Sequence, residues 1–410
     1  MTRGERRHNP VIVVLGALAA IGSFSVDMYL PGFPAIVRDL KTDSTHVGFT
    51  MTSYFIGIGL GQLLYGPVLD RYGRKKPLVF GLFVSIGAAL GCALAPSIDF
   101  LIGLRLLLAL GACVGMVGSR AVVRDLFSRD EIARALSMLM MVFGIAPIIA
   151  PTMGGLVLAA MGWRFIFCFL AAIAALILVA VRLFLPESKG ADPSISLRPL
   201  QVLSEYLKVL RARLFVVPAV GVAAASGGLF AYLTEAPFVF INLFGFTPTQ
   251  SGWIFGTNAV AMILGSQVNR LWLRRQESVT VLLTIAITQS AAAALLLSGS
   301  LMGFLSPFAT LGLIFSYAFC FGLVLPNAMG LAMEHFSKNA GSASALIGSL
   351  QMAAGAVTSA LVSTLHNGTA VPMASVMTAC AGVSLVMAAM SALSARTARR
   401  SSREFFSPGT

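Results

Sequence analysis

Apolar stretches of about 20 residues follow one another between residues 11 and 394, separated by short polar breaks. Lipid offers no water to backbone N–H and C=O groups, so a chain built this way must satisfy those groups within helices or within a closed barrel. Stretches this long and continuous are helical, and the expected fold is an all-α integral membrane bundle. Composition agrees: 57% of the residues are hydrophobic and 11% charged, against roughly 45–50% and about 25% in soluble domains.

Twelve spans are expected, at residues 11–33, 46–67, 77–96, 100–121, 135–160 and 163–185, then 214–241, 251–270, 279–300, 305–333, 340–365 and 371–394. This divides the chain into a six-helix half (1–185), a linker (186–213), a second six-helix half (214–394) and a tail (395–410). The linker mixes Pro, Ser and Gly with a basic amphipathic stretch, which reads as a segment lying on the membrane. With the N-terminus inside, 23 Lys and Arg fall on one face of the membrane and only Arg38, Lys41 and Arg164 on the other. Basic residues near span ends stay cytoplasmic, so both termini are expected in the cytoplasm. The net charge of +13 is thereby a topological signal, and no nucleic-acid partner is expected.

Cys92, Cys113, Cys168, Cys320 and Cys380 lie in apolar segments without CxxC spacing, so neither a disulfide framework nor a metal site is expected. No nucleotide loop or nucleophile elbow appears, and His8, His46, His335 and His366 all fall at span ends or tails. The chain therefore reads as a non-enzyme that needs no cofactor.

The halves resemble each other in register. Gly57, Gly66, Asp70 and Arg71 match Gly256, Gly265, Asn269 and Arg270 at a constant offset of 199, and "DLFSR" at 125–129 matches "EHFSK" at 334–338. Six plus six spans repeating in the same orientation is a parallel repeat, of the kind that holds a substrate between halves.

Three motifs refine this. "GPVLDRYGRKK", 66–76, joins spans two and three. Gly66 would permit close helix approach, Gly73 a tight turn, and Asp70, Arg71 and Arg74 ion pairs that form and break between states; topogenic charge is the blander alternative. "APIIAPTMGG", 146–155, carries Pro151, Gly154 and Gly155, which bend the span and let a neighbour press close, as a generic kinked packing helix would also do. The third is "RLLLALGACVGMVGSRAVVRDLF", 105–127, which opens with Arg105, inside span four. The first motif resembles the G-x-L-x-D-R-x-G-R-R/K signature of the major facilitator superfamily. The second resembles the G-x-x-x-G-P-x-x-G-G motif of its drug antiporters, with Ala146 and Ala150 in place of glycines. The third is similar to R-x-x-Q-G, with Leu108 and Ala109 as departures. Together with "DMYLPGFP", "SRAVVRDLF" and "APFVF", the chain resembles the Bcr/CflA subfamily, the bicyclomycin and chloramphenicol resistance type.

That resemblance implies two parallel six-helix halves that rock to export small hydrophobic or amphipathic drug-like compounds in exchange for protons, as a monomer in a bacterial inner membrane. The alternative is export of an endogenous amino acid or sugar, or uncoupled facilitation.

The residues expected to couple transport to protons are Asp27, Arg105 and Glu235. A carboxylate in mid-bilayer costs about 2.5–3.5 kcal/mol on insertion scales, so Asp27 should face a cavity and have a partner or a proton. Counted along its span it lies roughly 24 Å from the inner end, and Arg105 lies roughly 7 Å from the outer end of span four, so the two share a level. Asp27 is then either a proton site tuned by Arg105 or a permanently ionised partner of it. Glu235 is a second proton site, a bias towards cationic substrates, or a solvated interfacial residue. Tyr29, Phe33, Tyr54, Tyr232, Phe238 and Asn258 are the expected cavity lining, being aromatic or polar groups suited to an amphipathic ligand. Arg120 and Arg124 read as snorkelling residues or partners of the switch loop. Pro326 and Asn327 should break span ten, as a gate or a kink.

Overall fold

The computed structural model describes residues 3–127, 129–195, 197, 199–334, 336 and 340–405. Ser128 of the first repeated motif and His335, Ser337 and Lys338 of the second lie outside them. Fourteen α-helices run through these residues. They are α1 (Arg3–Asp27), α2 (Phe33–Asp39), α3 (Ser44–Tyr72), α4 (Lys75–Ala93), α5 (Ile98–Leu126), α6 (Arg129–Met161), α7 (Trp163–Phe184) and α8 (Pro199–Leu210). Then follow α9 (Arg213–Pro237), α10 (Pro248–Trp272), α11 (Ser278–Met302), α12 (Pro307–Met333), α13 (Ala340–Thr364) and α14 (Val371–Phe405).

Among the described residues, eleven helical segments are long and apolar enough to cross a membrane. The remaining long helix, α10, has 25 residues but carries Thr249, Gln250, Ser251, Thr257, Asn258, Gln267 and Asn269. It is packed between α6 and α12, and Ser251, Asn258 and Asn269 are buried there, while Gln250, Thr257 and Gln267 stay exposed.

Local chemistry sets the boundaries. Asp43 caps α3 by accepting from the His46 amide at 2.8 Å, Ser97 caps α5, and Thr247 with Gln250 forms a reciprocal capping box at α10. Gly73, Gly162 and Gly303 end helices at φ of 83°, 92° and 70°, where a side chain would be strained.

The first span is not the single helix expected over 11–33. Helix α1 stops at Asp27, a 3-10 turn occupies Leu30–Gly32, and α2 restarts at Phe33. Pro31 and Pro34 cannot donate to the carbonyls of Asp27 and Leu30, so the helical ladder fails directly after the acid. Helix α9 ends in the same way at Pro237, two residues after Glu235, and continues as a π-helical turn over Phe238–Leu243. Conversely, α12 runs unbroken through Pro326 and Asn327, and α14 continues as helix to Phe405 beyond the expected end at 394.

Helix α1 packs on α5, α6 and α7, while α5 also holds α3 and α4. In the second half α9 packs on α12, α13 and α14, and α12 also holds α10 and α11. The two sets meet through α3 against α13 and α6 against α10. These paired interfaces are related by the repeat. Between the sets, α8 does more than lie on a surface: its Tyr206 is buried, and the hydroxyl donates to the Leu63 carbonyl of α3 at 2.9 Å.

Candidate functional site

Sequence places one charge where a membrane bundle least tolerates it, and the fold encloses that charge completely. Arg105 of α5 is 0% exposed. Its guanidinium stacks between the rings of Tyr29 and Tyr54, 4.4 and 4.3 Å from their centroids. Nη1 donates to the Ser25 carbonyl at 2.7 Å, Nη2 rests against Met51 Sδ at 3.5 Å, and Nε has no acceptor. The cage is itself fixed: Tyr29 shares a hydrogen bond with Thr50 at 2.9 Å, and Tyr54 donates to the Gly22 carbonyl at 3.1 Å.

Asp27 does not pair with Arg105, contrary to expectation. It is buried and makes no hydrogen bond or ion pair among the described residues. The depth count placed the two at one level, but Arg105 is satisfied by Ser25, two residues earlier and roughly 200° around the helix. The Asp27 carboxylate lies instead within electrostatic reach of Tyr54 and, across the interface, of Tyr232. Tyr232 accepts from Asn258 Nδ2 at 2.7 Å and packs with Phe255, ring centroids 5.7 Å apart.

The end of the bundle away from the linker is sealed. Phe33 and Phe238 meet across it at 5.7 Å, Thr45 donates to the Ser363 carbonyl at 2.9 Å, and Ser359 bonds both Thr52 and Thr234 at 3.3 and 2.9 Å. Small residues make this approach: a Cβ on Gly48 would stand 1.9 Å from Ser363 Oγ, and one on Gly252 2.6 Å from the Pro151 carbonyl. The "APIIAPTMGG" glycines belong here. Gly154 presses on the Met28 backbone at the break in the first span, and Gly155 on Pro248 and Thr249 of the other half.

Glu235 lies within this seal, 1% exposed, and is neither solvated nor part of an open cavity. It is hydrogen-bonded to His366, whose ring packs on Phe238 at 5.3 Å. The Glu235 bond, with Asp43 adding a weaker attraction, raises the His366 pKa above the ordinary 6.5. A raised pKa means that the pair contributes stability fully below pH 6.5 and loses it as pH rises through the raised value. The melting temperature of wild type should therefore exceed that of Glu235→Gln most at pH 6, with the gap closing towards pH 9. A gap constant across that range would refute the assignment.

At the linker end the switch motif is fully engaged. Arg74 is 5% exposed and its Nε donates to Asp125 at 2.6 Å, its Nη1 to Asp70 at 3.0 Å. Lys189 also reaches Asp70 at 3.0 Å, Glu187 accepts from the Arg74 amide at 2.6 Å, and Arg71 donates to the Ile195 carbonyl at 2.8 Å. Gly73 turns against the Lys189 carbonyl. Gly66, expected at a close helix contact, has no atom within 4 Å of where a Cβ would stand; it lines a cavity. In the second half, Asn269 replaces Asp70 and accepts from Asn327 at 2.6 Å, while Asn327 accepts from Ser278 at 2.7 Å. The repeat thus keeps the corner and discards its charge.

That cavity, of about 490 Å³, is bounded by α3 and α5 on one side and the start of α13 on the other. None of Tyr29, Phe33, Tyr54, Tyr232, Phe238 and Asn258 lines it; Phe33 and Phe238 belong to the seal and the other four are packed in the interior, all 5% exposed or less. Arg120 and Arg124 do line it. His366, Ser359, Ser363 and Gly48 carried no sequence signal that separates them from other small or span-end residues. Asp125 did, since it opens the repeated "DLFSR". Among the described residues no group of His, Cys, Asp and Glu is arranged to hold a metal.

Two six-helix sets thus enclose buried charges, closed against each other at the end away from the linker and leaving a cavity at the other. The sequence profile of the Major Facilitator Superfamily matches residues 15–359, and the chain belongs to that family. It is 36% identical over 380 residues to the uncharacterized MFS-type transporter YdgK of Bacillus subtilis (strain 168), covering 90% of this chain and 94% of that one. It is 32% identical to a bicyclomycin resistance protein homolog of Haemophilus influenzae, covering 92% and 94%. Its fold matches that of a bacterial homolog to the human lysosomal transporter Spinster, with a TM-score of 0.72, 15% identity, and 97% and 98% of the two chains covered.

Proposed function

We propose that this chain is a proton-coupled exporter of small hydrophobic or amphipathic compounds. It works as a monomer in a bacterial inner membrane, with both termini, the linker and the cavity on the cytoplasmic side. Residues 1–185 and 214–394 rock as two units, and the seal and the cavity exchange ends. Relatives named for bicyclomycin resistance support the drug-like cargo.

Asp27 carries the coupling. It is buried, has no hydrogen-bond or ion-pair partner among the described residues, and is placed where α1 breaks beside the interface between halves. An unpaired carboxylate in that position is tolerated when it holds a proton, and a change in its access to water as the halves rock releases it. Arg105, fixed nearby in its aromatic cage, supplies a constant positive field that assists the release.

The test is proton movement in inside-out vesicles on addition of chloramphenicol, bicyclomycin, a fluoroquinolone or a lipophilic cation. Wild type is expected to release protons with at least one of these, and Asp27→Asn with none. Coupled transport that persists in Asp27→Asn would remove Asp27 from the mechanism.

A further inference from the structure

The linker-end cavity holds an unbalanced charge. Of the groups lining it, Asp70 is the acid, and it is already matched by Arg74 and Lys189, each at 3.0 Å. Arg74 is committed in turn to Asp125. Arg120 and Arg124 are left, and neither makes a hydrogen bond or ion pair among the described residues. They stand four residues apart on α5, one turn above the other on the same helix face. Like charges so placed repel each other and destabilise the helix they sit on. A helix that retains the pair against that repulsion, with Arg120 half-buried in the cavity wall and Arg124 exposed at its rim, is arranged for an anion between them.

The rest of the lining restricts what kind of anion. Leu69, Val117, Ala121 and Ala345 present apolar surface, and the volume of about 490 Å³ is that of a drug-sized ligand site, not of a single small ion. Gln62, on the floor towards the sealed end, offers an amide to a polar group at the far side of such a ligand.

We infer that the cavity is a binding site for amphipathic organic anions, in which Arg120 and Arg124 together hold a carboxylate, sulfonate or phosphate while the apolar body lies against α3 and α13. The cargo class proposed above is narrowed by this site, which rests on the exporter reading only in treating the occupant as cargo. Binding without a gradient tests the site alone; proton movement with Asp27→Asn tests the coupling alone.

The probe pair is anilinonaphthalene sulfonate and phenylnaphthylamine, which differ in the sulfonate and fluoresce on entering apolar surroundings. Titration is into the full-length protein in phosphatidylcholine nanodiscs, with empty nanodiscs subtracted. The sulfonate should bind at least about tenfold more tightly than the neutral amine, as one charge-assisted hydrogen bond to a guanidinium provides. Arg120→Gln with Arg124→Gln should remove that preference and leave amine binding unchanged, which also shows the variant to be folded. Equal affinity for the two probes in wild type, or a preference that survives in the double variant, overturns the proposal. Nanodiscs containing phosphatidylglycerol separate the sources of the anion. If that lipid displaces the sulfonate probe from wild type, the site belongs to a lipid phosphate, and the assignment to free organic anions fails.

Discussion

Arg105→Met is expected to leave the melting temperature of the protein unchanged or to raise it by a few degrees, and to reduce proton-driven transport by at least about a hundredfold. The two halves of that result come from one ledger. Desolvating a guanidinium costs several kcal/mol even after relaxation. Against this stand two stacked rings worth about 2 kcal/mol each when dry, and one hydrogen bond to the Ser25 carbonyl. Among the described residues no carboxylate contributes, and Nε has no acceptor. The balance is near zero or unfavourable, so an apolar side chain of similar length loses nothing in stability. What it removes is the guanidinium that ties α5 to α1 at the Ser25 carbonyl, two residues before Asp27, and that holds Tyr29 and Tyr54 in place. Thermal unfolding followed by tryptophan fluorescence, together with vesicle transport, reads both quantities on the same preparation. A drop of several degrees in the melting temperature would make Arg105 a structural residue. Arg105→Lys keeps the charge but loses the planar stacking, and should fall between wild type and Met in transport.

The sequence made the charged residues conspicuous and left their partners hidden. Asp27 and Arg105 stand out because hydrocarbon tolerates few ions, and a count of rise per residue put them at one height. Height is not azimuth, however, and only the folded helix shows that Ser25 and not Asp27 faces the guanidinium. Glu235 was visible for the same reason as Asp27. Its partner His366 is 131 residues away at a span end, where the sequence offers no cue. The prolines after Asp27 are plain in "DMYLPGFP", yet an apolar run hides the break they impose, because Leu30, Phe33 and Ile36 keep the hydropathy high through it. The switch motif was the most readable element: Asp70 and Arg74 pair at the turn as the motif requires, and Asp125 joins them from the repeated "DLFSR". Gly66 was misread because a glycine's function depends on what faces it, and what faces it in this state is the cavity.

The seal depends on glycines whose replacement should turn the molecule over. A Cβ on Gly48 meets Ser363 Cβ at 2.8 Å, and one on Gly252 meets the Pro151 carbonyl carbon at 3.0 Å. Neither contact is relieved by rotating a side chain, since both involve atoms held by the backbone. Overpacking of this kind costs typically about 1–3 kcal/mol per site, whereas moving a two-state equilibrium from 99:1 to 1:99 takes about 5.5 kcal/mol. Gly48→Val or Gly252→Val alone should therefore give a mixture of sealed and unsealed molecules. The two sites lie on separate pairs of helices, α3 with α13 and α6 with α10, so their effects should add. The double variant is then expected to be predominantly open at the end that wild type seals. Spin labels at Lys41 and Thr369, both exposed and on opposite halves near the seal, report this directly. Wild type should show one short distance, each single variant a second, longer one, and the double variant chiefly the longer one. Transport should fall with the fraction of sealed molecules, because an exporter that cannot close one end cannot alternate. A folded double variant that keeps the wild-type distance would mean that the helices accommodate the added methyl groups by sliding, and that these glycines do not set the equilibrium between states.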